Sequence, residues 1–394
     1  MKVCFETFGC RLNRAEALQM EAEYAANGWV RTERHSDADL FVVRGCSVTQ
    51  RAQHSCERLI SHLKRKYPLV PVRVCGCIKT EKSSSRQRPE NPPAGGAQTP
   101  VPTRTSRAYL KVQDGCSGKC SFCIVPKFRG PSVSTPFTEV MDKARRFIDA
   151  GYHEIVVTGC NLVLYASEGR RLPDLIAALS GLTPAGSESR TRIRVGSIEP
   201  GECALDCVHA MAESANACRF LHIPFQSGAG RILMAMKRPY LEPDISALAQ
   251  KALKLMPNIR LGCDVMTGFP DESKLDFAAT KSLLSRHPFS NVHVFPYSER
   301  PDTLAAKFGG AIPPGTRSER AHEIAEKGDD NRYAYARQFY GKLVEIVVES
   351  DDEPYGRTDE YLWCKAPGRA PRKSLARVLV NRIHHDGTLE GTLR

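Results

Sequence analysis

The sequence predicts an α/β protein of three parts, and three observations lead to this prediction. Strand-like apolar runs alternate with amphipathic helices over most of the 394 residues, as in parallel sheets with helices on their faces. Residues 83–106 hold five prolines and four serines, a composition typical of a linker that buries no core. After the last long helix, three strand-like runs follow with no helix between them, which favours a small β-barrel.

Residues 1–82 are predicted to form a small α/β domain, with strands at 3–7 and 38–43 and a helix at 14–27. Residues 107–340 contain six strand-helix units, which predicts a parallel sheet curved into an incomplete (β/α)6 barrel. Its strands are expected at 108–112, 154–158, 193–197, 220–224, 259–266 and 292–296. A helix at 317–340 leads to the last part, 341–394, with strands at 342–349, 358–364 and 375–383.

Composition and charge exclude several classes of protein. No uninterrupted apolar run reaches the length of a membrane span, which excludes an integral membrane protein. Fifteen cysteines without an export signal predict a cytoplasmic protein whose thiols are metal ligands or buried side chains rather than disulfides. The net charge of +12 is concentrated at 44–88 and 365–382. Such stretches bind an RNA backbone or form a solvated basic surface, and the charge pattern leaves both readings open.

The strongest local signal is the arrangement Cys116-x3-Cys120-x2-Cys123 on a glycine-containing loop after a predicted strand. Three thiolates at this spacing suit a [4Fe–4S] cluster, which normally takes four cysteines. With no fourth cysteine nearby, one iron is left open to a substrate or cofactor. The alternatives are a zinc knuckle or three incidental thiols, although zinc motifs usually pair C-x2-C units or add histidines.

This loop resembles the cluster motif of radical S-adenosylmethionine (SAM) enzymes, in which an aromatic residue, here Phe122, precedes the last cysteine. The segments TFGCRLN at 7–13, CSVT at 46–49 and GC at 76–77 resemble the N-terminal domain of the methylthiotransferases. The match continues with DGC at 114–116, CIVP at 123–126, RG at 129–130, SIEP at 197–200, HIPFQSG at 222–228, GFP at 268–270 and FPYS at 295–298. The tail resembles the RNA-binding barrel called TRAM. The GCRLN start and HVFPYS at 293–298 are most similar to threonylcarbamoyladenosine tRNA methylthiotransferases.

The resemblance implies two [4Fe–4S] clusters and SAM as cofactors. Cys116, Cys120 and Cys123 would hold the cluster that binds SAM and cleaves it to a 5′-deoxyadenosyl radical. Cys10, Cys46 and Cys77 would hold a second cluster, whose open iron carries the sulfur to be methylated and transferred.

The implied reaction converts N6-threonylcarbamoyladenosine at position 37 of tRNA to its 2-methylthio derivative with two SAM and a sulfur source. The expected partners are tRNA, an electron donor and a sulfur donor, with no membrane, and the expected state is a monomer. The alternatives are methylthiolation of isopentenyladenosine in tRNA or of an aspartate in a ribosomal protein. A tRNA-binding paralogue with an inactive N-terminal cluster is another alternative.

Seven further residues are expected to bind the cofactor. Polar side chains at the ends of barrel strands face the presumed SAM pocket, because sites in such folds form at the carboxyl ends of the strands. Gly268 would let the cofactor approach the backbone, and Arg129 would pair with the SAM carboxylate or an RNA phosphate. The predicted set is Phe122, Arg129, Asn161, Ser197, Glu199, Gln226 and Gly268.

Three features depart from the family pattern. Arg44-Gly45 precedes Cys46 where the family usually has Asn-Thr, which is expected to alter the hydrogen bonding around that thiolate. Cys75 lies two residues before Cys77, about 6.6 Å back along a strand, and is expected to fall short of the cluster. Only 38 residues separate Cys77 from Cys116, so the N-terminal domain is expected to be shortened.

Overall fold

The computed structural model describes residues 1–78, 101, 104–182 and 190–394. Most of the predicted linker, 83–106, lies outside these residues. Its last residues are packed, because Thr105 and Ser106 are buried and the Ser106 hydroxyl accepts a hydrogen bond of 3.2 Å from Arg372.

The N-terminal region is a four-stranded parallel sheet with a helix on each face. The elements are β1 (Lys2–Thr7), α1 (Arg11–Ala26), β2 (Val30–Arg31), β3 (Leu40–Cys46), α2 (Gln50–Lys66) and β4 (Val72–Cys77), and the strand order is β2-β1-β3-β4. Alternate residues of the strands pack on opposite faces, as the period of two requires. Val3 and Phe5 pack beside Met20 of α1, whereas Cys4 packs beside Leu63 of α2.

The central region consists of helices around parallel strands. Its strands are β5 (Ala108–Lys111), β6 (Gln113–Asp114), β7 (Val133–Ser134), β8 (Glu154–Thr158), β9 (Ala166–Ser167), β10 (Arg170–Arg171), β11 (Arg192–Val195), β12 (Phe220–Gln226), β13 (Arg260–Thr267) and β14 (Phe289–Pro296). Its helices are α3 (Val125–Arg129), α4 (Phe137–Asp149), α5 (Leu172–Ser180), α6 (Glu202–Glu213), α7 (Gly230–Ala235), α8 (Glu242–Leu255), α9 (Lys274–Arg286) and α10 (Pro314–Arg337). All six long predicted strands are present.

These six long strands form two three-stranded parallel sheets, β5-β8-β11 and β12-β13-β14. Between β11 and β12 the pairing is reduced to two isolated parallel bridges, Ile193 to Ala217 and Ser197 to His222. One apolar core runs behind both sheets and includes residues of α4, α5, α6 and α8. The six strands therefore share one direction and one core, and their carboxyl ends meet on one side.

The C-terminal region is a closed five-stranded barrel in the order β15-β16-β17-β19-β18. Its strands are β15 (Leu343–Val348), β16 (Tyr355–Arg357), β17 (Trp363–Lys365), β18 (Leu375–Ile383) and β19 (Leu389–Leu393). The predicted strand 358–364 is wrong, because a turn at 358–362 separates β16 from β17. Tyr361 has a φ of 68° there, and the Leu362 amide donates to the Thr358 hydroxyl. β16 and β19 were not predicted from the sequence.

The 358–361 turn enters the amino-terminal end of the central strands. Arg194 donates to the Thr358 carbonyl at 2.9 Å, and Arg260 donates to the Tyr361 carbonyl at 2.9 Å. The Tyr361 ring stacks on Phe220 with centroids 4.9 Å apart. The small barrel is thus anchored inside the central region. None of the helices in the described part of the chain is long and apolar enough to cross a membrane.

Candidate active site

The three clustered cysteines lie on the loop between β6 and α3. The Cys116 amide donates to the Gly130 carbonyl at 3.0 Å, and the Cys123 amide donates to the Cys120 carbonyl at 3.2 Å. The Gly118 amide donates to the Cys116 sulfur at 3.3 Å, and a Cβ at Gly118 would stand 3.1 Å from that sulfur. The loop therefore wraps its backbone closely around half-buried thiols.

A buried arginine, which the sequence analysis missed, contacts this group. Arg238 lies after α7 and donates to the Cys120 sulfur at 3.2 Å and to Glu199 at 2.9 Å. Burial raises the pKa of the Cys120 thiol, and the positive charge of Arg238 opposes that shift. No spacing or motif in the sequence indicates a residue 118 positions beyond Cys120.

The other three predicted ligands come from separate elements of the N-terminal sheet. Cys46 and Cys77 end β3 and β4 and are paired in register, and Cys10 is the N-cap of α1. Gly9 has a φ of 97°, and a Cβ there would stand 2.8 Å from the Cys46 Cβ. Burial raises the pKa of the Cys46 thiol, and negative charge on Cys10 and Cys77 adds to the shift. The structure thus brings all three cysteines to one end of the sheet.

Asn13, the last residue of the GCRLN segment, holds the backbone around these cysteines. It is 1% exposed, and its side-chain amide donates to the Phe8 carbonyl at 2.8 Å and to the Gly45 carbonyl at 2.9 Å. One side chain therefore joins the loop before Cys10 to the end of β3.

The expectation that Arg129 binds the SAM carboxylate or an RNA phosphate is wrong, because protein groups occupy its guanidinium. Its Nε donates to the Cys77 sulfur at 2.9 Å. Its terminal nitrogens donate to Asp114 at 2.8 Å, to Asn13 at 2.9 Å, and to Glu16 at 2.9 and 3.0 Å. Arg129 follows the Cys116 loop and contacts the other cysteine group, so it joins the two groups physically.

Glu16 on α1 is the anionic centre of this network. Its carboxylate accepts hydrogen bonds from Arg44, Lys111 and Arg129. Burial alone would raise the pKa of the Glu16 carboxyl, but the hydrogen bond from Arg129 and the charges of Arg44, Arg129 and Lys111 hold it well below its usual range. A charge-assisted network of this kind fixes the N-terminal sheet against the start of the central region.

Arg44 is directed away from Cys46, and the expectation that Arg44-Gly45 alters the hydrogen bonding around that thiolate stays a prediction. Arg44 is 3% exposed, and its side chain extends to Glu16, Met20 and the Cys75 sulfur, which lies 3.7 Å away. Cys75 is thus engaged by Arg44, while Cys77 is engaged by Arg129.

A cavity of about 510 Å³ lies between the N-terminal sheet and the carboxyl ends of the central strands. Cys10 from one cysteine group and Cys123 from the other both line it. The remaining lining residues are Arg11, Leu12, Val48, Thr49, Phe122, Ile124, Val125, Thr158, Gly159, Leu162, Gly196, Ser197, His222, Gln226, Asp264, Met266, His293, Phe295, Pro296, Tyr297 and Ser298. A molecule in this cavity would therefore meet both cysteine groups.

The cavity contains three of the seven residues expected to bind the cofactor. Phe122, Ser197 and Gln226 line it. Gln226 has a φ of 70°, and its side-chain amide donates to the Pro224 carbonyl at 3.1 Å. These placements agree with a site at the carboxyl ends of the strands.

Asn161, Glu199 and Gly268 do not line the cavity. Glu199 lies next to the Cys120 group through Arg238, and the Asn161 side-chain oxygen is buried without a hydrogen-bond partner. The expectation for Gly268 is wrong, because a Cβ at Gly268 would stand 2.0 Å from the Cγ of Arg317. The close approach at Gly268 is made by another side chain.

Three polar side chains form a hydrogen-bonded group in the cavity wall. Nε2 of His222 lies 3.0 Å from an Asp264 carboxylate oxygen, and Nδ1 of His293 lies 3.4 Å from the same oxygen. Burial would raise the pKa of the Asp264 carboxyl, but hydrogen bonds from His222 and His293 hold it well below its usual range. His222 is thus a hydrogen-bonded histidine of the cavity wall.

Comparisons with known proteins agree with this geometry. The model described as "Uncharacterized protein family UPF0004" matches residues 2–92, and that of the "Radical SAM superfamily" matches residues 110–284. The threonylcarbamoyladenosine tRNA methylthiotransferase MtaB of Bacillus subtilis (strain 168) is 29% identical over 91% of this chain and 89% of that protein. The chain belongs to the radical SAM methylthiotransferase family.

Other members of this family are similar to nearly the same extent. A tRNA-2-methylthio-N(6)-dimethylallyladenosine synthase of Aquifex aeolicus (strain VF5) is 26% identical over 93% of this chain and 92% of that protein. The radical SAM methyltransferase TsrM of Kitasatospora setae, solved with cobalamin and a [4Fe-4S] cluster, superposes with a TM-score of 0.56 at 12% identity, covering 77% of this chain and 76% of that one. That likeness shows the radical SAM fold.

The family uses SAM and [4Fe–4S] clusters, and the two cysteine groups fit such cofactors. Each group offers three thiols, and each has a glycine, Gly9 or Gly118, where a Cβ would crowd a cysteine. Each also has one buried arginine directed at a sulfur, which would compensate the negative charge of a thiolate-bound cluster.

Proposed function

We propose that this chain methylthiolates N6-threonylcarbamoyladenosine at position 37 of tRNA. The observation that carries the proposal is a cavity lined by both Cys10 and Cys123. Breaking a C–H bond and forming a C–S bond at one carbon requires that carbon to be within reach of two reagents. A cavity bounded by both cysteine groups provides this arrangement.

The placement of the two cysteine groups supports an assignment of the ligands. Cys116, Cys120 and Cys123 would hold the cluster that binds SAM, and Cys10, Cys46 and Cys77 would hold the second cluster. When bound, the clusters and two SAM molecules would supply the hydrogen abstraction and the methylthio transfer that the reaction needs. An electron donor and a sulfur donor come from outside the chain, which acts as a monomer.

The chain's own side chains hold the reagents and exclude water. Arg238 and Arg129 donate to Cys120 and Cys77 and so stabilise negative charge on each set of sulfurs. Phe122 and Phe295 give the cavity an apolar wall. An apolar wall limits solvent access, which protects a radical from side reactions.

Each region has a part in this function. We assign 1–82 to the methylthiotransferase domain, 83–106 to a linker, 107–340 to a radical SAM domain built on an incomplete (β/α)6 barrel and 341–394 to a TRAM-like RNA-binding barrel. The common direction of the six long strands and the closure of the small barrel support these assignments. Exposed basic residues suited to RNA phosphates are Arg51, Arg58, Lys64, Arg65 and Lys66 on α2, and Arg377 and Arg382 on β18.

The test is anaerobic reconstitution followed by reaction with two tRNAs, one carrying threonylcarbamoyladenosine and one carrying dimethylallyladenosine. We expect about eight irons per chain, four for each cluster, and nucleoside mass spectrometry should detect the 2-methylthio product on the first tRNA. About four irons would support a tRNA-binding paralogue without the N-terminal cluster. A product only on the second tRNA, or only on a ribosomal protein aspartate, would reassign the substrate.

A further inference from the structure

The cavity contains a cation without a carboxylate partner. Arg11 is the first residue of α1 and lines the cavity directly after Cys10. Its guanidinium lies over the Tyr361 ring, 4.9 Å from the centroid, and donates to the Tyr361 hydroxyl at 2.8 Å. Among residues 1–78, 101, 104–182 and 190–394, no carboxylate forms an ion pair with Arg11. Tyr361 therefore positions the guanidinium and leaves most of its N–H groups available.

The other charged groups of the cavity are already engaged with one another. Asp264 accepts from His222 and His293, so its negative charge is directed at those two rings. Much of the remaining wall is apolar, including Leu12 and Met266. A cation beside apolar surface favours an anionic ligand, because a charge removed from water needs a partner of opposite sign.

We propose that Arg11 binds the carboxylate of the N6-threonylcarbamoyl group and so selects this substrate. The inference rests on the proposed function. The threonylcarbamoyl group ends in a carboxylate, which a planar guanidinium binds through two parallel hydrogen bonds. The dimethylallyl group is a hydrocarbon and offers nothing to compensate the charge. Arg11 is thus a specificity-determining residue, and Tyr361 is a positioning residue that acts through it.

The same cation could pair with two other anions of this system, a tRNA phosphate or the carboxylate of SAM. A phosphate is present in every tRNA, so its pairing with Arg11 would contribute equally to both substrates. The SAM carboxylate would contribute even without tRNA. Removing the charge at residue 11 should therefore reduce activity in a different way for each of the three anions that Arg11 could bind.

The experiment compares wild-type holoenzyme with Arg11→Gln on the two tRNAs, with turnover referred to reconstituted iron. We expect KM for the threonylcarbamoyl tRNA to rise roughly 10- to 100-fold more than KM for the dimethylallyl tRNA, because a charge-assisted hydrogen-bonded pair is removed. Arg11→Lys should keep part of the discrimination. Arg14→Gln is the matched control, since Arg14 is exposed on the same helix and does not line the cavity.

A second measurement leaves the protein unchanged. Free N6-threonylcarbamoyladenosine should inhibit wild-type turnover more strongly than its carboxyl methyl ester, and Arg11→Gln should remove most of that difference. If the acid and the ester inhibit wild type equally, the inference is overturned even if the variant folds poorly.

Other outcomes separate this inference from the proposed function. Equal losses on both tRNAs would assign Arg11 to a phosphate, and a matching loss of 5′-deoxyadenosine formation without tRNA would assign it to SAM. Either result overturns the inference while the proposed function stands. A wild-type enzyme that modifies only the dimethylallyl tRNA would overturn both.

Discussion

The two cysteine groups are built in opposite ways. Cys116, Cys120 and Cys123 lie within eight residues on one loop, and the Gly118 amide of that loop donates to the Cys116 sulfur. Cys10 and Cys77 are separated by almost the whole N-terminal sheet, and they meet Cys46 only because parallel strands end on the same side. The first group is a local structure, whereas the second exists only when the sheet has formed.

The difference extends to the residues that support each group. Arg238 comes from a neighbouring turn of the central region and donates to Cys120. Arg129 comes from the helix after the Cys116 loop and donates to Cys77 in the other region. The cation that contacts the N-terminal group therefore comes from the central region. The cation that contacts the central group comes from the central region as well. The N-terminal group should accordingly be the more sensitive to changes in the packing between regions.

The largest effect is expected where the central group is broken. Cys120→Ala leaves two thiolates and no defined open iron, so reductive cleavage of SAM should fall to background, and methylthio transfer should disappear with it. Chromatographic assay of 5′-deoxyadenosine checks this. Cys203→Ala on α6 is the control. Continued 5′-deoxyadenosine formation by Cys120→Ala would contradict the assignment of Cys120 as a cluster ligand.

Removing one ligand of the N-terminal group should abolish methylthio transfer without abolishing SAM cleavage. Cys77→Ala should abolish methylthio transfer while SAM cleavage continues, because the central group keeps all of its ligands. Cys75→Ala should keep both activities, since Cys75 is bound by Arg44 rather than placed at the strand end. Mass spectrometry of nucleosides from treated tRNA decides the matter. A Cys77→Ala enzyme that still adds the methylthio group would show that the third ligand is misassigned.

Exchanging the two arginines for glutamine tests the asymmetry directly. Arg238→Gln should lower SAM cleavage, whereas Arg129→Gln should lower methylthio transfer more than SAM cleavage, each by roughly 10- to 100-fold for the removal of a hydrogen bond to a charged group. Arg145→Gln, an exposed residue of α4, serves as the control. Similar profiles for Arg129→Gln and Arg238→Gln would mean that the two groups are not independently supported.

The smallest effect is expected for two exposed arginines on β18 of the C-terminal barrel. Arg377→Gln with Arg382→Gln should make the salt dependence of tRNA binding shallower, by roughly one log–log unit for each phosphate that the protein no longer neutralises. Lys373→Gln should change the slope less, because the Lys373 ammonium lies 4.2 Å from the centroid of the Tyr152 ring. An unchanged slope of the salt dependence in the double variant would indicate that these arginines belong to a solvated basic surface that does not bind RNA.

Much of the fold was predictable because its elements carry their own patterns. All six long central strands were expected within a few residues of their observed positions, since their apolar runs are bounded by polar strand ends. The strand predicted at 358–364 failed for a local reason, because the left-handed conformation of Tyr361 interrupts an otherwise strand-like composition. The cysteines were expected as ligands, but their supporting arginines were not, because Arg238 and Cys120 share no sequence pattern.

By itself, the sequence determined the alternation of strands and helices, the tight cysteine loop and the resemblance to a family, because periodicity, spacing and motif order are local properties of the chain. Only the tertiary structure decided that Arg129 binds Cys77 rather than a cofactor, that Arg44 extends to Glu16, and that Arg11 enters the cavity. A long cationic side chain can reach partners in many directions. Which partner it meets depends on the packing of elements distant in sequence and on the cost of burying its charge without one.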